Sequence, residues 1–538
     1  MPASPDNRRR VSAGVQLVVL GASAILVFLI HAPYFTLPYF WDEMGQFVPA
    51  ALDILHGAAW QHVAAWVPHS TVPNVHPPGV MAYLAVMWSV FGYSLTVTRT
   101  AMLALAALFF VATFLLAVEL CRGLHSAAAF AALVLLAADP LVYTQSMMAQ
   151  LDLPAALFTV VGLGLFLRNR HAAAALACTA LVLVKETGVL LPLLCGIWLL
   201  FAQRGGAQFR SLTFGAVSEP DSPDASARRG RRLASAAFYI APLVALAAWL
   251  LVLKSATGEW LGDAGFAHYN VGYALHPVRI VLCLLRRLYF LGLADFRWVG
   301  NLAILVAWRG YGLFRTPQWR FVWLFFAAHV LLVSVLGGAE LERYLLPVLP
   351  LLYVAMAAGC CVLPALWRNL SLAVVSAGLL LGLFLNPPFP FPYENNLAMT
   401  DFVELHQSAA RELEAKYSGL PIYTAWPLTQ ALRDPAFGYV TRPLIAEETS
   451  DLRASTWERI DPGKVSVLVL YSRTWEPNWG VLRFPLVRKL LTHFYQYGPQ
   501  IDPAAVFARF RLTPVMRWSR RGQWIEIYAR NPSAKLPI

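Results

Sequence analysis

The sequence predicts an α-helical polytopic membrane protein with a small α/β domain at its carboxyl end. Of the 538 residues, 58% are hydrophobic and only 13% are charged. A soluble domain carries roughly 25% charged residues. Apolar runs of about 15–24 residues also recur between residues 12 and 386, which is close to the length that a helix needs to cross the hydrocarbon core.

Most of these apolar runs predict transmembrane helices, but two of them, 79–92 and 278–294, are ambiguous. The second contains Arg286 and Arg287 near its middle. Two arginines at the bilayer centre cost about 5–7 kcal/mol, which favours an interfacial or re-entrant helix there. We therefore predict about 11 crossings and at most about 13. The predicted spans are 12–30, 95–118, 126–142, 152–167, 171–184, 188–203, 235–254, 298–313, 321–337, 344–366 and 370–386.

The basic residues predict an orientation, because the cytoplasmic loops of membrane proteins are enriched in Lys and Arg. Arg8–Arg10 precede the first span, and the longest internal loop, 204–233, contains six arginines. Both segments are predicted to be cytoplasmic. With an odd number of crossings the C-terminal domain is extracytoplasmic, and the predicted location is a bacterial cytoplasmic (inner) membrane.

A change in composition near residue 387 predicts the domain boundary. We predict a transmembrane domain over 1–386, with a long first outer loop over 32–78. A proline-rich linker follows over 387–399. The extracytoplasmic α/β domain then covers 400–538, because helical and strand patterns alternate there. Its predicted elements are a helix over 400–417 and strands at Ile422–Thr424, Val465–Tyr471 and Trp524–Tyr528.

The distribution of charge argues against a nucleic-acid partner, and the positions of the cysteines argue against a metal site. The net charge is +12, but the basic residues form short clusters between apolar runs, so we predict no nucleic-acid partner. The six cysteines lie within or beside apolar runs and lack the spacing of zinc ligands. This pattern favours free buried thiols and predicts no metal site.

Three acidic residues are candidates for catalysis on the predicted outer side. Asp42 and Glu43 stand where the chain leaves the first span, and a carboxylate there can act as the general base for an acceptor hydroxyl or amine. The alternative is a helix start, where acids complement the helix dipole. Asp152 lies two residues before Pro154, so it is either a helix cap or a second acid that holds the acceptor or a cation.

Arginines near the predicted outer interface are candidates for binding a phosphate. Arg343 opens a predicted span, where its guanidinium could form two hydrogen bonds with a phosphate. Alternatively it snorkels to the interface. Arg286 and Arg287 could also bind the phosphate from an interfacial helix, or one of the two could face lipid headgroups.

Two further basic residues belong to the same candidate set. His76 precedes Pro77 and Pro78, and a lone histidine of this kind is either structural or close to the donor. Lys185 adjoins Glu186 between two predicted spans. These two side chains either neutralise each other or contact the substrate.

These motifs, in this order, resemble those of a known superfamily. The chain resembles the GT-C glycosyltransferases that use polyprenyl-phosphate sugars, and in particular the branch that contains the protein O-mannosyltransferases and the lipid A aminoarabinose transferase (the glycosyltransferase family 39-like branch). The resemblance covers residues 12–366. The motifs are Trp41-Asp42-Glu43, then His76-Pro77-Pro78 with Tyr83, Phe91-Gly92 and Arg99, then Leu151-Asp152-Leu153-Pro154, then Glu342-Arg343-Tyr344-Leu345-Leu346-Pro347.

The resemblance implies a GT-C fold and a role for each matching residue. Asp42 would be the base or the carboxylate that orients the acceptor, and Glu43 would be its partner. Asp152 matches the acid of the second outer loop. Arg343 and His76 would lie near the donor phosphate, although the aminoarabinose branch has Lys-Pro where this chain has His76-Pro77.

The sequence therefore predicts a membrane glycosyltransferase that moves a pentose or hexose by inverting displacement. The resemblance implies a polyprenyl-phosphate donor, and the acceptor is a lipid, a protein or a cell-envelope glycan. A cation such as Arg343 can hold the leaving phosphate, so no metal is required, and a divalent cation is the one cofactor left open. The alternatives are a transporter or lipid flippase, which usually shows internal repeats, and a non-catalytic membrane scaffold.

Overall fold

The computed structural model describes residues 12–57, 63–122, 124, 127–201, 225–474, 476 and 479–530. The chain forms two compact units. Most of the predicted loop 204–233 lies outside the described residues. The first unit comprises Met1–Pro33, Ala50–Tyr93 and Val97–Gly382, and the second comprises Tyr34–Pro49, Ser94–Thr96 and Leu383–Ile538.

The first unit is built from α-helices that follow the apolar runs closely. Side chains cap several of them, because the first N–H groups of a helix have no partner within it. Ser12 accepts a hydrogen bond from the Val15 amide, and Thr316 accepts one from the Trp319 amide. The helices up to residue 384 are α1 (Ala13–His31), α2 (Val48–His56), α3 (Gly79–Phe91), α4 (Leu95–Leu120), α5 (Ala127–Ala138), α6 (Pro140–Met147), α7 (Asp152–Leu167), α8 (His171–Val184), α9 (Leu190–Phe201), α10 (Ala225–Ala237), α11 (Ile240–Thr257), α12 (Ala264–Ala267), α13 (Pro277–Gly292), α14 (Arg297–Tyr311), α15 (Pro317–Val335), α16 (Leu349–Cys361) and α17 (Ala365–Phe384).

Several of these helices are suited to crossing a membrane. Within the described ranges, five are long and apolar enough: Gly14–Tyr34, Leu95–Leu120, Gly230–Thr257, Pro317–Val335 and Ala365–Phe384. The pair α5 and α6 becomes a sixth if it is one broken span. Shorter apolar helices of 10–17 residues accompany them. The predicted 11 to 13 crossings depend on these shorter helices, so the number of crossings stays a prediction.

The structure breaks two of the predicted continuous spans. The run 126–142 bends by 70° between α5 and α6. Asp139 is extended there (φ −68°, ψ 122°) and caps α6, which begins with Pro140. The run 344–366 becomes an α-helix only at Leu349, because Glu342–Leu345 forms a 3-10 turn. Both breaks place polar side chains inside the helical unit.

Gly359 marks a close approach of two helices in the first unit. A Cβ atom added at Gly359 on α16 would lie 2.8 Å from the backbone carbonyl carbon of Ala303 on α14. We expect Gly359→Ala to lower the free energy of unfolding by about 1–3 kcal/mol, because backbone cannot give way as a flexible side chain can. Gly310→Ala on α14 is the matched control, since nothing lies within 4 Å of its added Cβ.

Thermal unfolding in detergent measures both variants against the unchanged protein. Gly310→Ala should leave the melting temperature unchanged or raise it, since alanine favours a helix over glycine by up to about 1 kcal/mol. Equal melting temperatures for the two variants would mean that the helices do not meet at Gly359 as described.

The second unit contains a five-stranded mixed sheet in the order β2-β1-β3-β5-β4. β1 pairs in parallel with both β2 and β3, whereas β5 pairs antiparallel with both β3 and β4. Every residue of β3 is buried, as is typical of a strand that is covered on both faces. The strands are β1 (Ile422–Ala425), β2 (Ala446–Thr449), β3 (Val467–Tyr471), β4 (Thr513–Arg520) and β5 (Gln523–Ala529).

Five helices complete the second unit within the described residues. The amphipathic helix predicted over 400–417 is α18 (Ala398–Lys416), and the three predicted strands are β1, β3 and β5. The remaining helices are α19 (Leu428–Arg433), α20 (Ala454–Trp457), α21 (Pro485–Tyr495) and α22 (Pro503–Phe510).

A two-residue turn, Arg521-Gly522, joins β4 to β5. Both residues have positive φ angles, 44° and 85°, which is the backbone of the tight turns that favour a twisted hairpin. The Arg521 guanidinium binds the Asp401 carboxylate and also donates to the Leu397 carbonyl at 3.1 Å. The turn is therefore fastened to α18.

Candidate functional site

Asp152 lies at the centre of a buried ion network in the first unit. Its Oδ1 atom pairs with the Lys185 ammonium, and its Oδ2 atom lies 3.2 Å from Nε of Arg343. The three side chains are 5%, 10% and 4% exposed. The Gln150 amide oxygen accepts a further hydrogen bond from Arg343 Nη1 at 2.5 Å. The structure thus brings together three of the predicted site residues.

This geometry bears on one structural alternative each for Asp152 and Arg343, and their functional roles stay predictions. Asp152 is the first residue of α7 and Leu151 is its cap residue, so the expectation that Asp152 is an ordinary helix cap is wrong. Arg343 is buried among polar groups, so it does not snorkel towards an interface. Both charges remain in the interior because each neutralises the other, as buried ions require.

Lys185 and Glu186 do not neutralise each other as their adjacency suggests. The chain is extended at Lys185, where α8 ends (φ −151°, ψ 127°). Lys185 pairs with Asp152, whereas Glu186 Oε2 lies 2.9 Å from Nδ1 of His76. The amide of His76 donates to Asn74 Oδ1 at 3.0 Å, which fixes the loop before Pro77. His76 therefore adjoins the Asp152 network through consecutive residues of the chain.

Three arginines on α13 hold the segment that carries Arg343. Arg286 and Arg287 follow Arg279 by seven and eight residues, so all three lie on one face of the helix. Arg279 Nη2 donates to the Gly338 carbonyl at 2.6 Å and lies 3.3 Å from Glu340 Oε1.

The other two arginines contact the same segment further along. Arg286 Nε lies 2.5 Å from Glu342 Oε1. Arg287 donates to the carbonyls of Leu341 at 3.0 Å and Val333 at 2.9 Å, and it is only 1% exposed. Arg287 is therefore too deeply buried to face lipid headgroups, and for Arg286 that alternative stays open. Arg286 is partly exposed, and its predicted phosphate contact stays a prediction.

Three cations of this network lie close to the aromatic ring of Tyr344. Lys185 Nζ lies 4.3 Å from the ring centroid, and the guanidinium carbons of Arg287 and Arg343 each lie 5.8 Å from it. A ring face attracts cations within about 6 Å. A small cavity borders Lys185 and Tyr344, with His329 and Phe325 among its other walls. Of the three cations, Lys185 borders this cavity, whose volume is about 10 Å³.

The network carries more positive than negative charge. We call the following set the outer-loop ion network, after the side of the membrane that the sequence predicts for its loops: Arg279, Arg286, Arg287, Arg343, Lys185 and His76, with Glu340, Glu342, Asp152 and Glu186. It contains five permanent cations against four carboxylates, and protonation of His76 adds a sixth positive charge. Arg287 bonds to backbone carbonyls, and no carboxylate among the described residues pairs with it. Such an excess suits a phosphate group.

The two remaining predicted site residues, Asp42 and Glu43, belong to the second unit. Glu43 is fully buried, and its Oε2 atom accepts the Phe40 amide at 2.8 Å. Asp42 is partly exposed, and Gln46 Nε2 lies 3.5 Å from its Oδ1 atom. The geometry therefore gives Glu43 a structural contact and leaves Asp42 as the more accessible carboxylate. Their catalytic roles stay predictions.

The C-terminal domain fixes the backbone around Asp42. The amide of Tyr39 donates to the Phe437 carbonyl at 3.3 Å, and the Tyr439 hydroxyl donates to the Tyr39 carbonyl at 2.8 Å. Trp41 has a positive φ of 46° and meets the Trp426 ring edge-on at 4.6 Å. A non-glycine residue in this region is strained and needs such support.

Sequence reasoning missed several members of the network. It did not single out Arg279, Gln150 or Tyr344 as contacts, although the spacing of Arg279 from Arg286 would have placed both on one helix face. The described residues contain no group of three or more His, Cys, Asp or Glu side chains that could hold a metal ion.

The described residues form an α-helical unit with several helices that are apolar enough to cross a membrane, and a second unit built on a small α/β sheet. The crystal structure of ArnT from Cupriavidus metallidurans bound to undecaprenyl phosphate is similar over 97% of this chain and 99% of its own, with a TM-score of 0.54 and 15% identity. The apo structure of the same protein gives a TM-score of 0.51 over 96% of this chain and 98% of its own, also at 15% identity. The predicted GT-C fold is confirmed.

A third similar structure is the oligosaccharyltransferase AglB from Archaeoglobus fulgidus in complex with an inhibitory peptide and a dolichol-phosphate. Its TM-score is 0.47 at 13% identity, with 97% of this chain and 75% of that chain covered. No protein-family model and no curated protein sequence matches this chain.

Proposed function

We propose that this protein is a membrane glycosyltransferase that takes its sugar from a polyprenyl-phosphate carrier. The observation that carries the proposal is the excess of buried positive charge in the outer-loop ion network, beside the Tyr344 cavity. A buried cation excess is costly unless an anion visits it. The structural neighbour ArnT was crystallised with undecaprenyl phosphate, which supports a polyprenyl phosphate as that anion.

The proposed reaction is a single displacement at the anomeric carbon. An acceptor oxygen or nitrogen attacks that carbon while the bond to the carrier phosphate oxygen breaks on the opposite face. Asp42 takes the acceptor proton as general base. Arg343 and Lys185 hold the negative charge that develops on the leaving phosphate, and Asp152 keeps both cations in position. The products are the glycosylated acceptor and the polyprenyl phosphate.

His76 and Arg286 have secondary roles in this proposal. His76, oriented by Glu186, can donate a hydrogen bond to the phosphate from its other ring nitrogen. Arg286 is the most exposed arginine of the α13 face, so it can exchange Glu342 for the carrier phosphate as the donor enters. The acceptor is a lipid, a protein or a cell-envelope glycan, and the membrane is a bacterial cytoplasmic membrane with the C-terminal domain outside.

Replacing Asp42 tests the proposed general base. Membranes that contain the protein are supplied with labelled polyprenyl-phosphate sugars, and labelled lipid, protein and polymer fractions are measured. We expect Asp42→Asn to reduce transfer at least about 100-fold, since a positioned general base contributes about 10²–10⁴-fold. Its melting temperature should change little, because Asp42 is partly exposed and asparagine has nearly the same shape as aspartate.

Glu447→Gln, at an exposed carboxylate of the same unit, is the control and should transfer normally. Transfer by the unchanged protein excludes a transporter, a flippase and a scaffold, which make no covalent product. Full activity in Asp42→Asn would remove Asp42 from the mechanism, and no labelled product from any donor would contradict the function itself.

A further inference from the structure

The second unit contains a cleft of about 480 Å³ beside α21, which the proposed reaction does not use. We call it the C-terminal cleft. Its volume lies within the usual range for small-molecule sites, about 300–1,000 Å³. The lining residues that matter here are Glu476, Trp479, Arg483, Arg488, Tyr497 and Gln500.

Cations dominate the electrostatics of the C-terminal cleft. Its one carboxylate, Glu476, is bound by Arg473, whose Nε lies 3.0 Å from Oε2 and whose Nη2 contacts Oε1. Arg473 also donates to the Gly498 carbonyl at 3.0 Å, so this neutral pair braces the wall. Arg483 and Arg488 therefore contribute two positive charges that no acid among the described lining residues offsets.

The two uncompensated arginines differ in how they are held. Arg488 donates to the Leu482 carbonyl from Nε at 3.3 Å and from Nη2 at 3.2 Å, which ties α21 to the turn before it. Arg483 is exposed, and the described part of the chain offers it no hydrogen bond or ion pair. Its guanidinium can therefore bind a ligand without giving up an internal contact.

Aromatic and amide groups line the rest of the C-terminal cleft. Trp479 is fixed through its indole N–H, which donates to the Thr474 carbonyl at 2.7 Å. Tyr497 follows the end of α21, where its amide donates to the Leu491 carbonyl at 3.1 Å. Gln500 donates through Nε2 to the Tyr471 carbonyl at 3.1 Å, while its buried Oε1 atom accepts no hydrogen bond from the described residues.

We propose that the C-terminal cleft binds an anionic saccharide. The faces of aromatic rings are electron-rich and attract the positively polarised C–H groups of a sugar ring. Arg483 and Arg488 match a phosphate or carboxylate in geometry as well as in charge. A hydroxyl that reached Gln500 would supply the hydrogen bond missing at Oε1. The combination of ring faces and uncompensated arginines selects a charged sugar over a neutral sugar or a simple anion.

This inference rests on the proposed function in one respect, because the bound saccharide is then part of the acceptor. Binding and transfer are measured separately so that the two can fail separately. The binding probes are glucose 1-phosphate, methyl glucoside and inorganic phosphate, titrated calorimetrically into the full chain in detergent.

Glucose 1-phosphate should bind at least about tenfold more tightly than either of the other probes. Arg483→Gln should weaken glucose 1-phosphate binding about tenfold, with methyl glucoside unaffected, and Trp479→Leu should weaken both sugars. Arg459→Gln, at an exposed arginine of the same unit outside the cleft lining, is the matched control and should bind like the unchanged protein. Arg343→Gln should also bind normally, because the C-terminal cleft does not include Arg343.

Three outcomes overturn the inference. Equal affinity for inorganic phosphate and glucose 1-phosphate would reduce the cleft to an anion site. Normal binding by Arg483→Gln would place the ligand elsewhere, and loss of binding in Arg343→Gln alone would assign the probe to the outer-loop ion network. In the transfer assay, Arg483→Gln should raise the acceptor KM and leave the donor KM unchanged. Cleft binding without any transfer by the unchanged protein would contradict the proposed function but not the cleft.

Discussion

Replacing Asp152 by alanine is expected to abolish sugar transfer and to lower the free energy of unfolding by about 3–5 kcal/mol. The substitution leaves the Lys185 ammonium and the Arg343 guanidinium without their shared carboxylate, and all three side chains are at most 10% exposed. Removing one partner of a buried ion pair has a cost of this size, because the remaining charge stays desolvated. Thermal unfolding in detergent and transfer from a labelled donor measure the two effects.

A double-mutant cycle distinguishes a functional network from a merely structural one. Asp152→Asn and Lys185→Gln are each expected to destabilise, whereas the double variant should lose less than the sum of the two, because Arg343 alone, and no longer Lys185, is left without the Asp152 carboxylate. If these residues bind the phosphate, the double variant shows this partial recovery in stability but not in transfer. Recovery of both would mean that the pair only supports the fold.

Helices and buried strands follow from local sequence, which is why they could be predicted. The run 171–184 forms α8 with the predicted bounds, and the sequence of β3 is continuous and apolar. Each of these two patterns is sufficient to predict its own element. β2 and β4 were missed because their patterns are weak: β2 is the sequence Ala-Glu-Glu-Thr, and β4 is largely exposed. These two strands depend on pairing with neighbours rather than on their own composition.

Sequence patterns predicted which residues belong to the site but not which of them pair with one another. Motif order singled out Asp152, Arg343 and His76, the position between two predicted spans singled out Lys185, and the first unit brings these side chains into one network. Adjacency in sequence suggested that Lys185 pairs with Glu186, but the extended backbone at Lys185 directs the two side chains to different partners. Pairing across more than 30 residues is a property of the packed helices, and a single sequence does not contain it.

The contacts of Arg297 are even harder to predict from a single sequence, because its partners are spread over more than half of the sequence of the first unit. Its Nη2 atom donates to Asp139 Oδ2 at 2.7 Å, Nη1 donates to Asp295 Oδ2 at 2.8 Å, and Nε donates to the Tyr353 hydroxyl at 3.0 Å. Arg297 and Asp139 are completely buried. Asp139 also caps α6 through Oδ1, which accepts the Val142 amide at 2.9 Å. The contact between Arg297 and Asp139 thus holds the bend between α5 and α6 against the start of α14.

We expect Arg297→Met to lower the free energy of unfolding by about 3–5 kcal/mol, because Asp139 would remain buried without its cation. Arg297→Lys should be nearly as damaging, since an ammonium lacks the planar fork that reaches the three oxygens. Melting temperatures in detergent measure each variant. Asp139→Asn combined with Arg297→Met should recover part of the loss, because asparagine can still cap α6 and carries no charge. A melting temperature for Arg297→Met equal to that of the unchanged protein would show that this buried cluster does not hold α14 to the α5–α6 bend.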